Sequence, residues 1–221
     1  QPVCAWIFMV WFRPQVVNNP ESTTAYANGA FMLMSRHCYE SIDGFERVRG
    51  QLGEDVELAR QAKSAGFRLR MLENRDLYQT RMYDTVKDSW RGWTRIFHGS
   101  LRSVPRLAAS IAILSTVTLM PAALLAISLF GRLLAGPEQV AWWNNSLIAW
   151  GTVMALGHLT AVWFYRVVGL RGLWPLTYVA GTLITVAMLT DALLQQAGFR
   201  RTVWRGTSYQ TTGTNAYRRA A

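Results

Sequence analysis

The sequence has few charged residues for its length, and this shortage limits the classes of protein that it can encode. Of its 221 residues, 16% are charged and 51% are hydrophobic. A typical soluble domain has about 25% charged residues. The composition therefore excludes a disordered chain or a nucleic-acid-binding tail. It favours a protein that works in a membrane and does not bind nucleic acid.

Cysteine is also scarce, since Cys4 and Cys38 are the only two. Two cysteines build neither a disulfide framework nor a zinc site, so we expect reduced thiols on the cytoplasmic side. The sequence begins at Gln1, inside an apolar run, and this run is not preceded by the basic residues of a signal peptide, so we expect none. We therefore expect it to be the C-terminal portion of a longer polypeptide.

The charges divide the sequence into two parts. Residues 1–106 hold 15 Lys/Arg and 11 Asp/Glu, whereas residues 107–221 hold 8 and 2. A helix needs about 20 mainly apolar residues to cross a bilayer. Long charge-free stretches in the second part predict a transmembrane region at 107–195, followed by a basic tail at 196–221. The predicted spans are 107–131, 139–165 and 172–194, of which the third is borderline.

Arginines flanking the first span predict its orientation. Arg91, Arg95, Arg102 and Arg106 precede it, and cytoplasmic segments carry an excess of such cations. The part before the spans is therefore predicted to be cytoplasmic in a multi-pass membrane protein. Three complete crossings would place the basic tail outside, against this rule, so the third stretch is either re-entrant or an exception.

Residues 1–83 show mixed helix and strand patterns. Short apolar or alternating runs predict extended segments at 30–35, 67–72 and 77–82. Apolar residues at helical spacing predict helices at 37–42 and 55–65. The predicted fold class is therefore α/β followed by membrane helices.

Residues 84–106 predict an amphipathic helix and a linker. Val86, Trp90, Trp93 and Phe97 fall on one stripe, with cations beside it. A tryptophan-rich stripe flanked by cations is typical of a helix in the membrane interface. The alternative is an ordinary amphipathic helix that packs on the preceding domain.

The densest acidic cluster is Gly53-Glu54-Asp55-Val56-Glu57, where a glycine-containing loop opens a helix. Acidic residues at this position often only stabilise the helix N-terminus. A carboxylate held at such a junction can also act as a general base.

The order of motifs around this cluster resembles that of family 2 glycosyltransferases, in the membrane-bound branch that includes ceramide glucosyltransferase-like and hopanoid-associated enzymes. The matching segments are Ala27-Asn28-Gly29-Ala30, Ser35-Arg36, Ile42-Asp43-Gly44-Phe45, Glu54-Asp55 with Leu58-Ala59-Arg60, and Gly66-Phe67-Arg68. The resemblance implies the C-terminal, acceptor-side part of a GT-A nucleotide-sugar transferase domain at residues 1–83.

The resemblance also implies roles for individual residues. Asp55 corresponds to the general base that deprotonates the acceptor hydroxyl, and Glu54 to an orienting acid. Asn28 and Gly29 correspond to the floor of the substrate cleft, although a simple tight turn is an equal alternative.

Many members of this family carry a Q-x-x-R-W box on the interface helix, and only its Trp is retained here, as Trp93. Arg91, Arg95 or Arg81 could supply the cation that the box provides for the donor or acceptor. The alternative for each arginine is binding of lipid headgroups.

The D-x-D motif, with which the family holds a divalent metal on the donor diphosphate, is absent. We expect Mg²⁺ or Mn²⁺ in the complete enzyme, with its ligands outside this chain, and an inactive isolated chain. The expected function is inverting transfer of a sugar from a nucleotide-sugar donor to a lipid acceptor in glycolipid biosynthesis. The alternatives are a processive polysaccharide synthase and a non-catalytic, membrane-anchored binding subunit.

Overall fold

The computed structural model describes residues 1–72, 80 and 82–200, and the backbone of 202–204, 207–212 and 216–219. These residues form two compact units. One contains residues 1–4 and 108–187, and the other contains residues 5–107 and 188–221.

Helices dominate the described residues. In chain order, the α-helices before the apolar region are α1 (Pro2–Trp11), α2 (Pro14–Val17), α3 (Arg36–Ser41), α4 (Gly44–Arg47), α5 (Glu54–Ser64) and α6 (Val86–Leu101). The apolar region contains α7 (Val104–Leu114), a π-helical turn (Ser115–Leu119), α8 (Met120–Leu134), a 3₁₀ turn (Pro137–Gln139), α9 (Val140–Val167), a second 3₁₀ turn (Trp174–Thr177) and α10 (Tyr178–Gln196).

The helices expected in the first part of the chain are confirmed. The expected helix at 37–42 is α3, which Ser35 caps by accepting a hydrogen bond from the Cys38 N–H. The expected helix at 55–65 is α5, and the amphipathic helix within 84–106 is α6. A small apolar core joins α3 and α5, and is formed by Cys38, Ile42, Val48, Leu58 and Ala62.

The expected α/β fold, with the C-terminal part of a GT-A domain at residues 1–83, is wrong. Residues 1–72, 80 and 82–106 form helices and irregular segments but no strand. The segments at 30–35 and 67–72 are not paired in a ladder, and most of 77–82 lies outside the described residues. Alternation of apolar and polar residues indicates which face of a segment is buried. A β-strand also needs backbone hydrogen bonds to a neighbouring strand, which the alternation does not predict.

The segment after α5 shows what takes the place of that partner. The Asn18 side chain donates to the Met71 carbonyl at 3.1 Å and accepts from the Met71 N–H at 2.6 Å. A side-chain amide thus satisfies both backbone groups that a neighbouring strand would bind. Met32, Met34 and Phe67 still pack on the small core, which accounts for the alternation in the sequence.

Among the described residues, three helical segments are long and apolar enough to cross a membrane: Val104–Leu134, Pro137–Val167 and Trp174–Gln196. Two pairs of hydroxyl groups on these segments are hydrogen-bonded to each other. Thr118, within the π-helical turn, is hydrogen-bonded to the Tyr178 hydroxyl, and the Ser128 and Ser146 hydroxyls lie 2.6 Å apart. Hydroxyl groups that pair in this way avoid being left unsatisfied in hydrocarbon.

The basic tail contains a structure that the sequence did not predict. Strands β1 (Thr202–Trp204), β2 (Thr207–Thr212) and β3 (Ala216–Arg219) form an antiparallel sheet in the order β1-β2-β3. This small sheet follows the apolar helices, and its described strands pair only with one another, so it does not restore the expected α/β fold at residues 1–83.

Candidate active site

Asp55 lies in the first turn of α5, and backbone N–H groups hold both of its carboxylate oxygens. Oδ1 accepts from the Val56 N–H and Oδ2 from the Gly29 N–H, each at 2.8 Å. The side chain is half-buried. The carboxylate therefore has a defined orientation and keeps part of its surface accessible to solvent.

Gly29 approaches Asp55 closely because it has no side chain. A Cβ atom at this position would lie 3.2 Å from Asp55 Oδ2, tighter than an ordinary contact. The preceding Asn28 forms a turn, in which its Oδ1 accepts from the Ala30 N–H at 3.1 Å. The turn proposed from the sequence is therefore present, and it brings Gly29 to Asp55.

Lys63, two turns further along α5, fixes the chain that leads to this turn. Its ammonium donates to the Val17 carbonyl at 2.7 Å and to the Thr24 carbonyl at 2.8 Å. The turn at Asn28 therefore begins only a few residues after a segment bound to the same helix that carries Asp55.

The loop before Asp55 also packs closely against α6. A Cβ atom on Gly99 would lie 2.9 Å from the carbonyl carbon and oxygen of Leu52. Gly53 then takes the left-handed backbone, with a φ of +76°, from which α5 begins. The position of α6 therefore constrains the loop that carries Asp55 into its helix.

An aromatic cluster joins α1, the segment before Asn28 and α6. Phe8 lies at the centre, with ring centroids 5.6 Å from Tyr26, 6.1 Å from Trp93 and 5.8 Å from Phe97. Phe12 stacks on Tyr26 at 4.9 Å. Because Tyr26 lies two residues before Asn28, the cluster supports the turn that contacts Asp55.

Trp93 belongs to this cluster and is only 7% exposed. Its indole N–H is buried and has no hydrogen-bond partner among the described residues. The structure therefore places Trp93 in a packing position, so this part of α6 packs as an ordinary amphipathic helix would. A direct role of Trp93 in binding substrate stays a prediction.

The other residues singled out from the sequence lie in different environments. Glu54 and Arg91 are exposed, and Arg95 is half-buried. Arg81 lies outside the described residues. The hydrogen bond between Gly29 and Asp55 joins two of the predicted site residues directly. The functional roles of all these residues stay predictions.

A charged network beside Asp55 was missed from the sequence. Glu57 Oε2 accepts from Arg102 at 2.6 Å and from Arg60 at 3.3 Å, and Oε1 accepts from Gln61 at 3.0 Å. Burial raises the pKa of Glu57, but the Gln61 hydrogen bond and the two arginine charges outweigh it and lower that pKa overall. Glu57 and Arg60 lie three positions apart on one helix, a spacing that favours an ion pair and could have predicted this contact. No pattern in the sequence predicted that Arg102 would join them.

The end of α10 is bound to α6 through polar side chains. The Trp90 indole N–H donates to Asp191 Oδ2 at 3.1 Å, and Arg200 donates to Asp191 Oδ1 at 2.8 Å. His98 is buried and hydrogen-bonded to Gln195 and Gln196. Burial lowers its pKa to about 4, although the two amides act in the opposite direction. His98 is therefore a neutral packing residue at neutral pH.

The described residues contain no group of three or more His, Cys, Asp or Glu side chains that could hold a metal ion. Asp55 itself accepts from two backbone N–H groups. The donor set does not fit a divalent cation, so no step of the chemistry is assigned to a metal bound by these residues.

Comparison with known families finds a similarity to glycosyltransferases over the segment that contains this site. Residues 12–93 match the model described as "Glycosyltransferase like family 2". The match covers well under half of the chain but includes Gly29, Asp55 and Trp93. No curated protein and no solved structure matches the chain.

Proposed function

We propose that this chain is part of a membrane-bound, inverting family 2 glycosyltransferase that moves a sugar from a nucleotide-sugar donor to a lipid acceptor. The observation that carries the proposal is the Asp55 carboxylate held by the Gly29 N–H at 2.8 Å within the family-matched segment. This carboxylate lies at the loop-to-helix junction where the family's general base is expected.

In the proposed reaction, Asp55 takes the proton from the acceptor hydroxyl as that oxygen attacks the anomeric carbon of the sugar. The new carbon–oxygen bond forms while the bond from the anomeric carbon to the nucleotide diphosphate breaks. The nucleotide diphosphate leaves with the bonding electron pair, and the configuration of the sugar is inverted. The Gly29 N–H holds Asp55 Oδ2, so the carboxylate does not have to reorient before it accepts the proton.

Three helices long and apolar enough to span a membrane support a lipid as the acceptor class. The first begins three residues after α6 ends, so the domain is joined directly to the bilayer-compatible region. The diphosphate of the donor would be bound by residues outside these 221, because the sequence has no D-x-D motif.

Asp55→Asn in the complete protein tests the base assignment. We expect transfer to a lipid acceptor to fall at least about 100-fold, since a positioned general base contributes roughly 10²–10⁴ in rate. The assay is release of the nucleotide diphosphate with a panel of nucleotide sugars and membrane lipids. Thermal unfolding in the same detergent should stay close to that of the wild type.

Asp43→Asn provides a matched control. Asp43 also precedes a helix, is exposed, and has a φ of +58°, a backbone conformation that asparagine tolerates. This variant should keep full activity. Transfer by Asp55→Asn at a rate near that of the wild type would refute the assignment of Asp55 as the base.

A further inference from the structure

An arginine-lined cavity lies in the unit formed by residues 5–107 and 188–221, and the proposed reaction does not use it. Its volume is about 440 Å³, and its lining residues are Glu57, Arg60, Leu101, Arg102, Ser103 and Arg106. The lining contains three guanidinium groups and one carboxylate, so it carries two excess positive charges. A concave surface with such an excess attracts anions.

The arginines that line the cavity are held by neighbouring groups. Arg102 donates to Glu57 at 2.6 Å and to the Gln51 side chain at 2.9 Å. Arg60 donates to Glu57 and to the Ser100 carbonyl, each at 3.3 Å. Side chains already held in place lose less entropy when they bind a ligand.

The remaining cation, Arg106, lies over an aromatic ring at the edge of the cavity. Its guanidinium carbon is 5.5 Å from the centroid of the Trp11 ring. Burial lowers the pKa of Arg60, and the nearby charges of Arg102 and Arg106 lower it further, while Glu57 acts against them. The positive charges are therefore close enough to repel one another, and an added anion would relieve that repulsion.

The cavity lies where the chain enters its first apolar helix. Arg102 directly follows α6, and Arg106 is in the first turn of the helical segment Val104–Leu134, which is long enough to span a bilayer. Basic residues immediately before a membrane span lie at the depth of the lipid headgroups. Guanidinium groups bind phosphate oxygens through paired N–H donors.

We propose that this cavity binds the phosphate of an anionic phospholipid headgroup. Free phosphate shares this chemistry, but the position beside a membrane-compatible helix favours a lipid, whose acyl chains can follow the apolar surface of that helix. The site does not include Asp55, so the inference stands independently of the proposed transferase activity.

The test measures binding of soluble short-chain lipids to the complete chain in an uncharged detergent by isothermal titration calorimetry. The probes are dioctanoyl phosphatidylglycerol, dioctanoyl phosphatidylcholine and inorganic phosphate. We expect phosphatidylglycerol to bind more tightly than either of the others. Arg106→Gln should weaken its binding about fivefold, the effect of one cation near a membrane surface, whereas Arg106→Lys should retain most of the affinity. Arg47→Gln, which removes an exposed arginine of the same unit, should change nothing.

A second pair of variants covers the case in which Arg106→Gln does not fold. Ser103→Asp adds a negative charge to the lining, and Ser103→Asn adds a neutral group of similar size. Both can accept the hydrogen bond that Ser103 takes from the Arg106 backbone N–H. We expect only the aspartate to weaken phosphatidylglycerol binding. Equal affinity for the two lipids, or unchanged binding in both charge variants, would overturn the proposal. Inorganic phosphate that binds as tightly as phosphatidylglycerol would show a free-anion site and would overturn the assignment to a lipid.

Discussion

Two carboxylates that lie two positions apart on α5 have different surroundings. Backbone N–H groups hold Asp55, whereas Glu57 is bound by two arginines and a glutamine. Glu57 is already engaged by these partners and serves to hold α5 to the end of α6. Asp55 has no cation among its described hydrogen-bond donors, so its carboxylate is the better placed of the two to accept a proton from a substrate.

His98 gives the protein a predicted pH dependence of stability. Its pKa in the folded chain is about 4, below the ordinary value of 6.5, because the ring is buried. The unfolded chain therefore binds a proton that the folded chain excludes between those two pH values. This contribution to stability is complete above pH 6.5 and is lost as the pH falls towards 4.

We expect the free energy of unfolding to fall by about 2 kcal/mol between pH 7 and pH 5 through this histidine alone. Unfolding of the complete chain in detergent, followed at both pH values, measures the change. His98→Gln should remove this part of the pH dependence, whereas His37→Gln, at an exposed position, should leave it intact. An identical change with pH in wild type and His98→Gln would contradict the prediction. Glu57 contributes little to the change between pH 7 and pH 5. Its pKa is lowered from the ordinary value of 4.5, so its effect on stability changes only at pH values below this range.

Among the elements, α6 and the loop before α5 are packed so closely that their contact leaves no room for an added side-chain atom at Gly99. Alanine at position 99 would place its Cβ 2.9 Å from backbone atoms of Leu52, which cannot move aside as a flexible side chain would. We expect Gly99→Ala to destabilise the protein by about 1–3 kcal/mol. Because this loop leads to Asp55, the proposed transferase activity of the complete protein should fall as well.

Gly151→Ala is the matched control for this prediction. Gly151 also lies within a helix, but an added Cβ there would meet nothing within 4 Å. We expect this variant to be as stable as the wild type or slightly more so. The test compares the melting temperatures of the two variants under the same conditions. Equal values would contradict the prediction, because they would mean that α6 and the loop can move apart without loss of stability.

The elements differ in how well the sequence predicted them. Helix α5 follows from a glycine, three acidic residues and apolar positions at helical spacing, all of which are local signals. The extended segments also had local signals, but a strand exists only when a second strand is within reach. The amide of Asn18 binds Met71 instead, and no pattern in the sequence distinguishes that partner from a neighbouring strand.

At the scale of the whole molecule, the arrangement of the apolar helices in a membrane can be tested by cysteine labelling. The cations before the first span predict that Lys87 faces the cytoplasm and that Gly136, between the first two spans, faces the opposite side. Native Cys4 and Cys38 are only 2% and 6% exposed, so they should give little background labelling.

A membrane-impermeant maleimide added to intact cells should therefore label Gly136→Cys and should label Lys87→Cys only after the membrane is broken. Both positions are exposed on the protein surface, so a difference in labelling reports the side of the membrane. Labelling of Lys87→Cys in intact cells would reverse the predicted orientation and would place the domain at residues 12–93 outside the cytoplasm.

The sequence alone determined the features that depend on neighbours along the chain. These include the apolar helices, whose length and composition are local, the helices α3, α5 and α6, and the position of Asp55 at the start of α5. Tertiary structure decided which distant groups meet: Gly29 with Asp55, and Arg102 with Glu57, 45 residues apart. It also decided that residues 30–35 and 67–72 pack without a ladder. The physical reason is that helical hydrogen bonds join residues four apart, whereas ladders and charged networks join groups that only the folded chain brings together.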